Sequence, residues 1–313
     1  MLWLYLDLRR LRRASLTGRF AFVVRGYERA CGAFLHGAVL GALLGVGLVS
    51  GPWYAAVRLA HLHTNVLGWG GLTLLATVVF FGPTILRTRI EPGADRTATV
   101  ALRWGAVGLT VATAGLVLTG TGGAVGTAAR LLAGAGVATY AAAATAICLP
   151  VLRAGRRAGE VHAHPLRAGL VWFLVGVWAD VALVATGSWR LLDAVGAAFV
   201  VGVLAQVILA ALGHLLPMVV GRGPARRAAL RQRLSVAGRS RATAFNVGLA
   251  LVVAVAVAGA GSPGALAARG GWFLITAAVV AQLLLMASAV ARSPARRWRA
   301  PPAPDQPTPG DST

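Results

Sequence analysis

The sequence predicts an all-α integral membrane protein: a bundle of about eight transmembrane helices whose N- and C-termini both lie in the cytoplasm. Of its 313 residues, 57% are hydrophobic and only 12% are charged, and the mean hydropathy is +0.72. A soluble domain carries about 25% charged residues, so this chain has too few polar side chains to cover a surface in water. The lengths of the apolar stretches and the distribution of the arginines complete the prediction.

Eight apolar stretches are long enough to cross a bilayer, whose hydrocarbon core needs about 20 helical residues. Each is rich in Ala, Val, Leu and Gly and lacks two-residue alternation, which favours helices over barrel strands. The 40 glycines fit this interpretation, because small residues let membrane helices pack closely. The predicted spans are residues 31–55, 61–86, 98–119, 128–151, 168–187, 191–219, 243–261 and 272–291.

The basic residues indicate the orientation of these spans. All 30 of them are arginines, against 9 acidic residues, for a net charge of +21. On the predicted topology, 26 fall in the N-terminal arm, in alternate loops and in the tail, and only four lie on the other side, at Arg58, Arg130, Arg190 and Arg269. This asymmetry is typical of cytoplasmic loops and predicts a multi-pass protein of the cell membrane. Arginines spread over five segments also favour lipid headgroups as partners over nucleic acid.

The two ends of the chain are predicted to lie outside the bundle. Residues 1–30 form a basic cytoplasmic arm that begins apolar and then turns basic, which favours an interfacial amphipathic helix. The transmembrane bundle occupies residues 31–292. Residues 293–313 contain six prolines and are expected to be a disordered cytoplasmic tail.

Ionisable side chains inside membrane spans are costly and are candidate functional residues by default. Five are present in the predicted spans, accompanied by four amides: His36, His61, His63, Asp180 and His214, with Asn65, Gln206, Asn246 and Gln282. Residues two apart on a helix differ by about 200° in direction, so His61 and His63 should face opposite ways. His61 and Asn65, four residues apart, should share a face.

Both histidines of the second predicted span allow two interpretations. A neutral imidazole is a ligand for haem iron or copper, which makes His61 and His63 candidate metal ligands. Alternatively, His61 marks the wet outer interface and His63 bonds a neighbouring helix. His36 and His214 are expected at one depth near the cytoplasmic side, beside His162 and His164 of a loop. These four either form a second haem or metal site or are ordinary loop and span-end residues.

Asp180 lies in the fifth predicted span, nearer its outer end than its centre. It is interpreted either as a proton- or ion-relay carboxylate or as a hydrogen-bond partner that orients His61 or His63. A third interpretation is that it is solvated at the outer interface or paired with Arg190.

The stretch His61–Pro83 (HLHTNVLGWGGLTLLATVVFFGP) resembles the second-helix signature of short actinobacterial membrane proteins similar to subunit I of haem–copper oxidases. Gln206–Pro224 (QVILAALGHLLPMVVGRGP) is a second similar stretch, so the resemblance covers residues 36 to 224. It implies that His63, or else His61, is an outer-side axial haem ligand, and that a copper-oxidase protein is a partner. The chain has fewer spans than that family and lacks its catalytic copper-ligand helix, which argues against a complete oxidase.

Three functions therefore remain open for the chain. The leading hypothesis is a haem- or copper-binding subunit for electron transfer, metal handling or sensing. The alternative is a small-molecule or ion transporter that uses Asp180, Gln206, Asn246 and Gln282 along a polar path. The third is a non-catalytic assembly or scaffold subunit. No nucleotide-binding, hydrolase or metalloprotease motif is present in the sequence, so a stand-alone enzyme is not expected.

Overall fold

The computed structural model describes residues 1–14, 21–154, 163–221, 223–259 and 261–291. These residues form ten helices and no strand, which confirms the predicted all-α class. The helices are α1 (Leu2–Ala14), α2 (Ala21–Gly45), α3 (Gly51–Leu86), α4 (Ala94–Leu118), α5 (Gly123–Ala154), α6 (Ala163–Thr186), α7 (Trp189–Val220), α8 (Pro224–Leu234), α9 (Gly238–Ala258) and α10 (Ser262–Ala291). The predicted disordered tail, residues 293–313, lies outside the described residues.

Seven helices of the described chain, α3 to α7 with α9 and α10, are long and apolar enough to cross a membrane. The chain is therefore a multi-pass membrane protein whose apolar helices contact lipid. Helix α2 packs along α3 and completes a bundle of about eight helices. Below, the arginine-rich side is the end of the bundle that holds residues 87–93 and 223–237, and the arginine-poor side is the opposite end.

The first two helices of the bundle begin about ten residues earlier than predicted. The turn that joins them lies at residues 46–50 rather than after residue 55, because Gly47 and Gly51 adopt positive φ angles of 71° and 57°, which glycine tolerates best. Pro52 then stands in the first turn of α3, where its missing N–H is not needed. As a result, His61 and His63 lie ten and twelve residues after the first residue of α3 rather than at its N-terminus.

Helices α4 and α5 run antiparallel, and glycines at their contacts let the two backbones approach closely. A Cβ atom on Gly108 would lie 2.6 Å from the carbonyl oxygen of Gly136, and a Cβ on Gly136 would lie 2.5 Å from that of Gly108. Two turns further along, Gly115 abuts the backbone of Ala129 and Ala133 in the same way. Small residues at such crossings are the usual means by which membrane helices approach closely.

Two of the spans contain a wider, π-helical stretch. These stretches are Thr64–Gly71 in α3, directly after His63, and Ala198–Ala205 in α7, directly before Gln206. In the first, the carbonyl of Leu67 accepts a 2.8 Å hydrogen bond from the hydroxyl of Tyr140 on α5. Since π-helical turns often accompany functional sites, both stretches direct attention to the polar residues beside them.

The predicted amphipathic segment near the N-terminus is helical. Helix α1 exposes large apolar side chains, among them Leu2, Trp3 and Leu11. It is held to α2 by an ion pair between Arg12 Nε and Glu28 Oε1 at 2.9 Å. That it lies at the membrane surface stays a prediction.

Candidate functional site

The strongest candidate site is a buried pair of ionisable side chains, His63 on α3 and Asp180 on α6. The Nε2 atom of His63 lies 3.2 Å from Oδ1 and 3.1 Å from Oδ2 of Asp180. His63 is 5% exposed and Asp180 is 3% exposed, so neither group is solvated by bulk water. Asp180 does not pair with Arg190 in the structure. The hydrogen bond to His63 is one of the interpretations that the sequence left open.

The hydrogen bonds of His63 fix how many protons the pair holds. Its Nδ1 atom lies 2.8 Å from the carbonyl oxygen of Leu59, which can only accept, so Nδ1 carries a hydrogen. The contact with Asp180 then needs one further proton, either on Nε2 of an imidazolium or on the carboxyl group. Without it, a lone pair would face a carboxylate at 3.1 Å, which is unfavourable. The pair therefore shares one exchangeable proton.

The same bonds bear on metal binding. A histidine ligates iron or copper through an unprotonated ring nitrogen, and both ring nitrogens of His63 are engaged here, one by Leu59 and one by Asp180. His63 would have to leave Asp180 before it could act as an axial ligand. Among the described residues, no group of three His, Cys, Asp or Glu side chains is arranged to hold a metal ion.

His61 faces the opposite way from His63, as its spacing predicts. Its Nδ1 atom donates to the carbonyl of Gly37 on α2 at 2.8 Å, and its ring packs on Gly41, where a Cβ would lie 2.7 Å from Cε1. The amide of Asn65 donates to the backbone oxygen of His61 at 2.9 Å, so these two do share a face. With Nδ1 protonated, Nε2 keeps its lone pair, and no described side chain is bonded to it.

The two remaining histidines of the predicted spans do not share a depth. His36 is exposed and precedes Gly37, which lies beside Asn65. His214 packs its ring edge-on against Phe81, with centroids 5.8 Å apart. Residues 65 and 81 of α3 are separated by about 24 Å along a helix, so the expectation of one His36–His214 site is wrong. The prediction failed because α2 begins earlier than expected, which places His36 nearer the middle of the bundle.

The loop histidines fall partly outside the described chain. His162 is not among the described residues, so its place in the predicted four-histidine cluster is untested. His164 lies in the first turn of α6, on the arginine-rich side.

A second polar cluster, around the buried Gln206, joins α6, α7 and α9. Gln206 and Asn246 exchange two amide hydrogen bonds, both 3.1 Å long, and the indole of Trp172 donates to Asn246 Oδ1 at 2.8 Å. The sequence singled out both amides but not Trp172. A tryptophan whose indole enters an apolar span does need an acceptor for its N–H, which is the signal that could have found it.

The four residues of the predicted polar path are not continuous in the structure. Asp180 belongs to the pair with His63, whereas Gln282 accepts a 3.1 Å hydrogen bond from Arg241. Gln206 and Gln282 line one cavity of about 40 Å³ near the arginine-rich side. The backbone of Gly169, eleven residues from Asp180 on α6, lies beside Gln206. The path is thus divided into two polar regions about 16 Å apart.

No family model, curated protein or solved structure matches this chain. The resemblance of the stretch after His61 to haem–copper oxidase-like proteins, and the copper-oxidase partner that it implies, therefore stay predictions.

Proposed function

We propose that the chain is a proton-coupled transporter of the cytoplasmic membrane, in which His63 and Asp180 together form the proton-binding site. One observation carries the proposal: a histidine and a carboxylate, each at most 5% exposed, lie 3.1 Å apart within a membrane-spanning bundle. Ionisable residues in spans are rare and typically belong to ion pathways or proton relays. The pair contains the two side-chain types that most readily exchange a proton near neutral pH.

The surroundings of the pair support a role in coupling rather than in packing alone. His63 is followed at once by the π-helical stretch of α3, whose backbone is already bonded to a side chain of another helix. Asp180 lies six residues from the end of α6 on the arginine-poor side, about 9 Å along the helix axis. A proton from that side therefore has a short distance to cover, and its arrival would change the bond that holds α3 to α6.

The test is proton flux in liposomes that enclose a pH-sensitive dye. Wild type, Asp180→Asn and the matched control Asp193→Asn are each given gradients of inorganic cations, inorganic anions and a mixture of small metabolites. Asp193 is a suitable control because it is an exposed carboxylate on the same side of the bundle. We expect wild type and the control to move protons with at least one gradient, and Asp180→Asn to move none. Flux that Asp180→Asn retains in full, or the lack of any flux in wild type, would contradict the proposal.

Haem or copper binding is the second candidate, and the geometry of His61 favours it over His63 as the ligand. The bond from Nδ1 to Gly37 orients the ring and leaves Nε2 with its lone pair, which is the arrangement that neighbouring groups impose on metal-bound histidines. The described residues offer His61 as a single imidazole, so a haem or copper ion held there would need further ligands from elsewhere. When bound, haem would supply one-electron chemistry.

The metal candidate is tested by the optical spectrum and metal content of protein purified from membranes. A Soret band or stoichiometric copper that disappears in His61→Ala, and persists in the exposed-site control His36→Ala, would support it. Intact protein without either signal would exclude it.

A further inference from the structure

An open cleft on the arginine-rich side, between α5, α6 and α9, carries a concentration of positive charge. Its volume is about 1130 Å³. Four basic side chains line it, Arg153 from α5, His164 and Arg167 from α6 and Arg239 from α9, and none of its described lining residues is acidic. Of these three helices, α6 also carries Asp180 of the proposed proton pair. Arg167 and His164 lie 13 and 16 residues from Asp180 along it.

Two hydrogen-bond donors or acceptors in this cleft lack a partner. His164 Nε2 and Arg167 Nε are buried, and neither bonds another group of the described chain. A buried polar atom without a partner costs about 1–3 kcal/mol. An anion with several acceptor oxygens, bound in the cleft, would satisfy the arginine and neutralise the charge that is gathered there.

The other wall of the cleft is apolar and faces outward. Val171 of α6 and Val247 of α9 line it, and each is 48% exposed on the surface of a membrane-spanning helix. The indole of Trp172 and the side chain of Leu149 line it as well. The cleft thus joins a cationic end, at the level of the arginine-rich loops, to an apolar face at the level of the hydrocarbon.

We propose that this cleft binds an anionic phospholipid, with the phosphate on Arg167 and Arg239 and an acyl chain along Val171 and Val247. Charge complementarity selects the phosphate, and the apolar wall selects a lipid over a soluble phosphate compound. Basic pockets between spans on the cytoplasmic side are where anionic headgroups bind in membrane proteins. This site is independent of the proton pair.

The experiment measures lipid binding by native mass spectrometry of the full chain in detergent, titrated with phosphatidylglycerol or phosphatidylcholine. The variants are Arg239→Gln, Arg167→Gln/Arg239→Gln and the control Arg58→Gln, an exposed arginine on the other side of the bundle. We expect phosphatidylglycerol affinity to fall about 5-fold in the single variant and about 30-fold in the double variant, since each arginine near an anionic headgroup contributes about 1 kcal/mol. The control should bind as wild type does.

Equal binding of the two lipids by wild type, or equal losses in Arg239→Gln and Arg58→Gln, would overturn the proposal. The single variant keeps the test valid if the double variant does not fold. Glycerol 3-phosphate separates the two sources of phosphate. If it displaces phosphatidylglycerol and binds equally tightly, the ligand is a soluble phosphate compound and the assignment to a lipid is wrong.

Discussion

Replacing His63 with leucine removes the partner of a buried carboxylate without adding another polar group. Asp180 is 3% exposed, and the His63 contact is its hydrogen bond to another helix. The His63→Leu variant leaves that carboxyl group buried without its partner, which is far more costly than the loss of one exposed hydrogen bond.

The magnitude follows from the burial of both groups. Breaking a buried ion pair by removing one partner costs about 3–5 kcal/mol, because the other charge is left uncompensated. Asp180 is too deeply buried for water to replace the imidazole. We therefore expect His63→Leu to lower the free energy of unfolding by about 4 kcal/mol.

The assay is unfolding by SDS in mixed micelles, followed by circular dichroism. His63→Leu/Asp180→Leu serves as the reference, since replacing a whole buried ion pair by apolar side chains is often neutral or stabilising. The double variant should therefore recover most of the stability that His63→Leu loses. His36→Leu controls for the loss of an exposed imidazole from a neighbouring helix. If the double variant were destabilised as much as His63→Leu, or His63→Leu as little as His36→Leu, the pairing described above would be refuted.

Three further predictions concern the packing around the site. Gly136→Ala should lower the free energy of unfolding by about 2 kcal/mol, because its Cβ would lie 2.5 Å from backbone atoms of α4. The control Gly32→Ala, whose Cβ would have nothing within 4 Å, should be neutral or slightly stabilising. SDS unfolding that ranks the two variants equally would contradict this. Gln206→Leu and Asn246→Leu should each cost about 1–2 kcal/mol by leaving the other amide without its partner; a double variant whose loss equals the sum of the single losses would show that the two are not coupled. Tyr140→Phe should cost about 1 kcal/mol and speed amide hydrogen exchange in the π-helical stretch of α3, whose carbonyl it frees; unchanged exchange there would count against the bond.

The all-α bundle was predictable because long apolar stretches have few solutions in lipid. The boundaries of the first two helices were not. Arg25, Glu28 and Arg29 interrupt the apolar start of α2 and conceal it, while the turn at residues 46–50 contains leucine and valine and reads as helix. Hydropathy reports composition, and the turn depends on the backbone angles of two glycines.

The candidate site was predictable one residue at a time but not as a set. His63 and Asp180 stood out because ionisable side chains rarely occur in spans, and the opposite directions of His61 and His63 followed from the helical period. The partner of each polar residue lies on another helix, so pairing depended on depths that shift with every misplaced boundary, as the position of His36 shows. The π-helical stretches had no sequence signal, since eight residues are too few to separate their period from that of an α-helix.

The two π-helical stretches have a mechanical consequence for the polar residues that they adjoin. Rewinding such a stretch into an α-helix changes the register of the chain by one residue, which turns the adjoining segment by about 100° and moves it about 1.5 Å along its axis. His63 precedes one stretch and Gln206 follows the other. One such change of register in either helix would move its polar side chain out of contact with its partner, while the rest of the helix stayed in place. Each of these two spans thus has a possible hinge next to the residue whose hydrogen bond holds it to its neighbours.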